Sequence, residues 1–128
     1  MSDPPYVPVE IHLGKLPVSC NEIEEYVIPE FPVKASEILV YSFVTIRGKL
    51  THFQRGYYEI STTAGGNEYK QYMNAATGGW ITVIDSANLW LPMGDDDKLR
   101  AKLICPEGED SFPTRDQWSD VFILGYRS

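Results

Sequence analysis

Basic side chains are in short supply: eleven Lys and Arg stand against eighteen Asp and Glu, and the formal charge is −7. The resulting field repels phosphate backbones and anionic lipid headgroups, which argues against nucleic acid and membrane surfaces as partners. Long apolar runs are missing as well, since none approaches the ~20 residues that a bilayer-spanning helix requires. The opening Met1-Ser2-Asp3-Pro4-Pro5 has neither the basic nor the apolar region of a secretory leader. The expectation is therefore a cytosolic chain, or a mature form whose leader has been removed.

Histidine and cysteine occur twice each. His12 and His52 are too few for a cupin-type metal centre and read as surface imidazoles. Cys20 and Cys105 lie 85 positions apart, unlike the short knuckles that hold zinc. They form either one long-range disulfide or two buried thiols, and the sequence leaves both open. Asn21, Asn67, Asn74 and Asn88 all lack the hydroxyl residue two places on, so no N-glycosylation acceptor is present. G-x-S-x-G, P-loop and G-x-G-x-x-G patterns are absent. No carboxylate pair stands out for acid–base work, and the chain reads as non-enzymatic and without a cofactor. Asp95, Asp96 and Asp97, with Glu107, Glu109 and Asp110 in the following loop, supply the oxygen ligands calcium prefers but lack EF-hand spacing. They are read as solvated charge, with calcium as the alternative.

The 128 residues suffice for one domain, spanning 1–128, and the 43% apolar and 23% charged content is that of an ordinary globular protein. Two-residue alternation dominates. Val9, Ile11 and Leu13 oppose Glu10 and His12, and Pro8 places this strand at a sheet edge. Ser19-Cys20-Asn21-Glu22 has the form of a capping box, so the next segment is either a helical turn or a strand from Glu24. In 37–46, Leu39, Tyr41 and Phe43 share one face while Ile38, Val40, Val44 and Ile46 share the other, the pattern of a central strand. Ala64-Gly65-Gly66-Asn67 signals a tight hairpin, between a strand over 53–62 and a returning arm over 69–75. Trp80 to Leu91 is expected to form a bent strand, or two joined near Asp85-Ser86. Leu99, Ala101, Leu103 and Cys105 alternate with Arg100 and Lys102. Residues 106–117 read as a polar loop in which Thr114-Arg115-Asp116-Gln117 resembles a second capping box, and Val121 to Tyr126 reads as a buried strand. Some eight strands at this spacing predict an all-β fold, an antiparallel two-sheet sandwich of jelly-roll type.

Aromatics are the surplus: three Trp, eight Tyr and five Phe. Tyr and Trp combine apolar area with a polar edge, which suits sugar rings. Trp80, Trp90 and Trp118, with Asn74, Asp85 and Asn88 nearby in sequence, are the candidate ligand-binding residues. The same rings would serve a core or a subunit interface.

Tyr26-Val27-Ile28-Pro29-Glu30-Phe31-Pro32-Val33, followed by Ile38-Leu39-Val40-Tyr41, resembles the strand–corner–strand opening of H-type lectin sandwiches. Val121-Phe122-Ile123-Leu124-Gly125-Tyr126 resembles the last strand of C1q- and TNF-like jelly rolls. These resemblances imply a trimeric or hexameric binding module of extracellular origin. No sugar-binding residue of the H-type family matches a position here. The expected function is lectin-like glycan recognition by a homo-oligomer; a trimerising head of an extracellular protein is the alternative, and an enzyme comes third.

Overall fold

The structure is a computed structural model, and it describes residues 6–48, 53–75, 77–78, 82–105 and 114–128. Among the described residues ten strands follow one another: β1 (Val7–Gly14), β2 (Ile23–Val27), β3 (Glu37–Gly48), β4 (Phe53–Gln54), β5 (Tyr57–Ala64), β6 (Asn67–Asn74), β7 (Thr77–Gly78), β8 (Thr82–Pro92), β9 (Lys98–Ile104) and β10 (Thr114–Arg127). They form two four-stranded antiparallel sheets, ordered β1-β10-β3-β8 and β2-β9-β5-β6, with a two-stranded ribbon of β4 and β7. The all-β sandwich inferred from alternation is the fold observed.

The period of two explains the layering. Ile38, Val40, Val44 and Ile46 of β3 meet Val121 and Ile123 of β10 in the core, facing Tyr58 and Ile60 of β5 and Leu99, Ala101 and Leu103 of β9. Side chains on one face of a strand recur every second residue, and here both sheets turn their aliphatic set inward. Pro8 lies in the edge strand β1, where a missing N–H costs no ladder bond to a further strand. Gly65 and Gly66 have φ of 60° and 79°, the left-handed values of a tight hairpin turn, so β5 and β6 pair without offset from Tyr57↔Asn74 to Ala64↔Asn67.

The crossing from β1 to β2 is pinned to the sandwich by hydroxyl groups. Tyr58 donates to the Pro17 carbonyl at 2.8 Å, Tyr26 donates to the Lys15 carbonyl, and the Ser119 hydroxyl accepts from the Leu16 N–H. A disulfide joins Cys20 to Cys105, which resolves the choice the sequence left open. Burial, reinforced by the negative charge of Glu24 and by Tyr58, raises the Tyr26 phenol well above its ordinary range. The folded state thus holds this proton more tightly than the unfolded chain. The stability it contributes is complete below pH 10, where a free tyrosine ionises, and is lost as pH rises beyond it. Urea midpoints measured from pH 9 to pH 11 are expected to fall more steeply for the native chain than for Tyr26→Phe; equal slopes would contradict the assignment.

One sequence expectation is corrected and two open alternatives are resolved. Thr114 to Gln117 is no helix cap but the start of β10, whose pairing with β3 begins at Thr114↔Gly48. The stretch from Thr82 to Pro92 is not broken near Asp85-Ser86, since its register with β3 runs unbroken from Arg47↔Thr82 to Glu37↔Pro92. The irregularities fall instead in β1 and at both ends of β10. The segment after Cys20 is a turn leading into β2, not a helix.

Among the described residues the buried polar side chains are Ser42, Ser61, Thr62, Gln71 and Ser119. Thr62 Oγ1 and both polar atoms of the Gln71 side chain are buried and make no hydrogen bond. Such a group costs about 1–3 kcal/mol, so Gln71→Met, which keeps the length of the side chain, is expected to raise the melting temperature by about 3–5 °C. Calorimetry checks this, and a lowered melting temperature would contradict it.

Candidate functional site

The outer face of the β1-β10-β3-β8 sheet carries the most unusual surface among the described residues. Residues paired across antiparallel strands share a face. The register therefore sets Trp118, Asp120 and Phe122 of β10 beside Thr45, Phe43 and Tyr41 of β3, with Ile84, Ser86, Asn88 and Trp90 of β8 on the far side of β3 and His12 of β1 next to Phe122. The rings form one connected patch. Phe43 meets the edge of Trp118 with ring centres 5.3 Å apart, stacks towards Phe122 at 6.5 Å and adjoins Tyr41 at 6.1 Å; Phe122 lies 5.0 Å from the His12 imidazole. Trp118 is 63% exposed and Ile84 75% exposed.

This face is apolar because β3 and β10 carry large hydrophobes on both sides. Their inner residues are mostly aliphatic and fill the core beside Ser42 and Ser119; on the outer side Tyr41, Phe43 and Phe122 are half-buried and Trp118 is exposed. Within the patch one acid meets one imidazole. His12 Nε2 lies 2.6 Å from Asp120 Oδ1, and the Asp120 side chain is only 15% exposed. At the far end Tyr6 meets Trp90 edge-on at 5.5 Å. The Arg127 guanidinium lies 4.1 Å from the Trp90 ring centre while its Nε donates to Glu37 at 2.8 Å. Gly125 permits this arrangement, because a Cβ there would come within 2.9 Å of the Tyr6 ring.

The candidate residues named from sequence divide into three groups. Trp90, Asn88 and Trp118 share the aromatic face. Trp90 pairs with Leu39 and Trp118 with Thr45, so about 20 Å separate them along β3 at ~3.3 Å per residue, too far for one shallow sugar site. Asn74 and Asp85 lie where the edges of the two sheets approach: Asp85 Oδ2 accepts from the Asn74 backbone N–H at 2.8 Å and Oδ1 from Ser86 N–H at 2.9 Å. Trp80 lies outside the described residues, as does His52. Sequence reasoning passed over Tyr41, Phe43, Phe122, His12 and Asp120. The signal available was that the second apolar face of β3 includes two rings, whereas a strand buried on both sides is typically rich in Val, Ile and Leu.

The acidic loop is largely engaged with its own backbone. Asp95 Oδ2 accepts from Gly65 N–H, and Asp96 pairs with Arg100 and accepts from Lys98 N–H. The hydrogen bond from Arg100 holds the Asp96 carboxyl below its usual range. Asp95 and Asp97 line an open cleft of about 530 Å³ with Glu30, Phe31 and Met93. Among the described residues no three His, Cys, Asp or Glu side chains converge on a metal-sized point; Glu107, Glu109 and Asp110 lie outside them.

No protein-family model matches the sequence, and no curated protein matches it. Among solved structures the chain is similar to the globular domain of zebrafish complement 1qA protein, with a TM-score of 0.57 and 11% identity over 94% of this chain and 96% of that one. At this identity the likeness is one of fold, and it supports the C1q-like side of the two resemblances drawn from the sequence.

Proposed function

We propose that the chain is a non-enzymatic assembly module that associates with copies of itself through the aromatic face of the β1-β10-β3-β8 sheet. The observation that carries this reading is the connected, half-buried patch of Tyr41, Phe43 and Phe122 with exposed Trp118, and exposed Ile84 on the same face, on a molecule of charge −7. Exposed apolar patches of this kind mark interaction surfaces, and Trp, Tyr and Phe are enriched at such contacts. The charge distribution favours a second copy as the occupant. Two chains of the same negative sign repel, yet the middle of this face brings one acid and one potential cation already paired. Four strands ~4.8 Å apart and a β3 about 40 Å long outline several hundred Å², the order of the ~800 Å² that one side of a standard interface covers.

The C1q-like fold supports an assembling role, and the disulfide supports an oxidising, extracellular setting. Sedimentation equilibrium of the purified chain tests the reading: a concentration-dependent, defined oligomer is expected, and a monomer at high micromolar concentration would refute it. Glycan recognition is the second reading, favoured by the exposed indole of Trp118. A glycan array that lights up, with Trp118→Ala losing the signal, would move the weight there.

A further inference from the structure

We propose that the His12–Asp120 pair makes self-association through the aromatic face dependent on pH, with the assembly favoured when His12 carries a proton. The inference rests on the assembly reading and deepens it. Asp120 is the charged side chain set among the rings: its register partner is Phe43, it lies between Trp118 and Phe122 along β10, and it is 15% exposed even in the single chain. A second copy laid on this face removes the remaining water. A desolvated carboxylate is strongly disfavoured unless it is paired, and every copy would bring the same negative charge to the contact. The partner within reach is His12 Nε2, 2.6 Å from Asp120 Oδ1. With a proton, the two groups enter the contact as a neutral ion pair; without it, each copy buries a net negative charge.

Among the described side chains, the other charged groups on this side lie towards its margins. Glu10 is two residues from His12 on β1, Arg127 is at the end of β10, and Glu37 and Arg47 are at the two ends of β3, which adds the Tyr41 phenol in the middle. β8 contributes Ile84, Ser86, Asn88 and Trp90, none of them charged, and β2 belongs to the sheet behind. Among the described side chains, His12 is therefore the group that can offset Asp120 inside the patch.

The sign follows from linkage. An association that retains a proton is strongest at the acidic end and weakens as pH rises from 6 to 8. Only two histidines are present, so few other side chains titrate in that window.

Sedimentation equilibrium at constant ionic strength from pH 6 to pH 8 is the test, on the native chain and on His12→Gln, Asp120→Asn and His52→Gln. The association constant of the native chain is expected to fall about tenfold or more over this range. Asp120→Asn, which removes the charge and keeps the shape, is expected to associate at pH 8 about as tightly as the native chain at pH 6. His12→Gln should associate weakly at both pH values, and His52→Gln should retain the native pH dependence. Native association that is indifferent to pH, or a pH dependence that survives in His12→Gln, overturns this proposal while leaving the assembly reading intact. A native chain that stays monomeric at every pH overturns both.

Discussion

Replacing Trp118 by arginine is expected to turn the assembly into monomers, weakening association by a hundredfold or more. A central aromatic anchor commonly contributes 2 kcal/mol or more to an interface, and 1.4 kcal/mol is a factor of ten. Here the substitution would also place a guanidinium from every copy at the same contact. The fold should tolerate it, because the indole is 63% exposed and changes at exposed positions usually alter stability by no more than about 0.5 kcal/mol. Ile84→Arg, at a position 75% exposed on the same face, should act in the same direction. Tyr72→Arg provides the contrast: Tyr72 is 59% exposed on the opposite sheet, next to Tyr57, and its replacement should leave the oligomer unchanged. Light scattering coupled to size exclusion distinguishes the three, with circular dichroism to confirm folding. Equal effects from Tyr72→Arg and Trp118→Arg, or no effect from either Trp118→Arg or Ile84→Arg, would count against the aromatic face.

The second large effect concerns the Cys20–Cys105 bond, which joins positions 85 residues apart. On the chain-entropy account a loop of that length contributes about 4–5 kcal/mol by restricting the unfolded chain. Domains of this kind are stable by only ~5–15 kcal/mol in all, so reduction removes a large share. The bond also stands beside a backbone junction: the Asn21 N–H donates to the Leu103 carbonyl at 2.6 Å and the Leu103 N–H to the Glu22 carbonyl at 3.3 Å, where the β1–β2 crossing joins the end of β9. The Cys20→Ser, Cys105→Ser double variant is expected to unfold at about 2 M less urea than the native chain, taking a slope of about 2 kcal/mol per M. The native chain with excess reductant should match it. An unchanged midpoint in both would contradict this contribution and leave the crossing to the hydroxyls of Tyr26, Tyr58 and Ser119 and the backbone bonds to Leu103.

The layering of this protein was legible wherever one strand face is aliphatic and the other polar or turned outward. β1 and β9 were marked by that alternation, β3 by apolar residues on both faces, and the Gly65-Gly66 hairpin by the glycines its left-handed turn demands, whereas the single strand read over 53–62 is two, β4 and β5. Thr114 to Gln117 misled because a Thr followed three residues later by Gln fits a cap by local chemistry, whereas here the long-range ladder with β3 decides the conformation. β8 looked breakable at Asp85-Ser86 because two polar residues interrupt it, but Asp85 sits at a sheet edge and takes up the Asn74 N–H of the other sheet.

The candidate site was only half legible. Trp118, Trp90 and Asn88 were named as tryptophans and an amide near loops, but what unites them is the register of three strands distant in sequence. The pairing of His12 with Asp120 spans 108 positions, and no spacing rule within a single sequence brings them together.

The most direct test of the account is photo-crosslinking from a benzophenone side chain placed at position 118. Crosslinked dimers whose joined peptides come from 39–45, 84–90 or 118–124 of a second copy are the predicted result. Crosslinks to the outer face of the β2-β9-β5-β6 sheet, or none between copies at concentrations where the chain sediments as an oligomer, would contradict it.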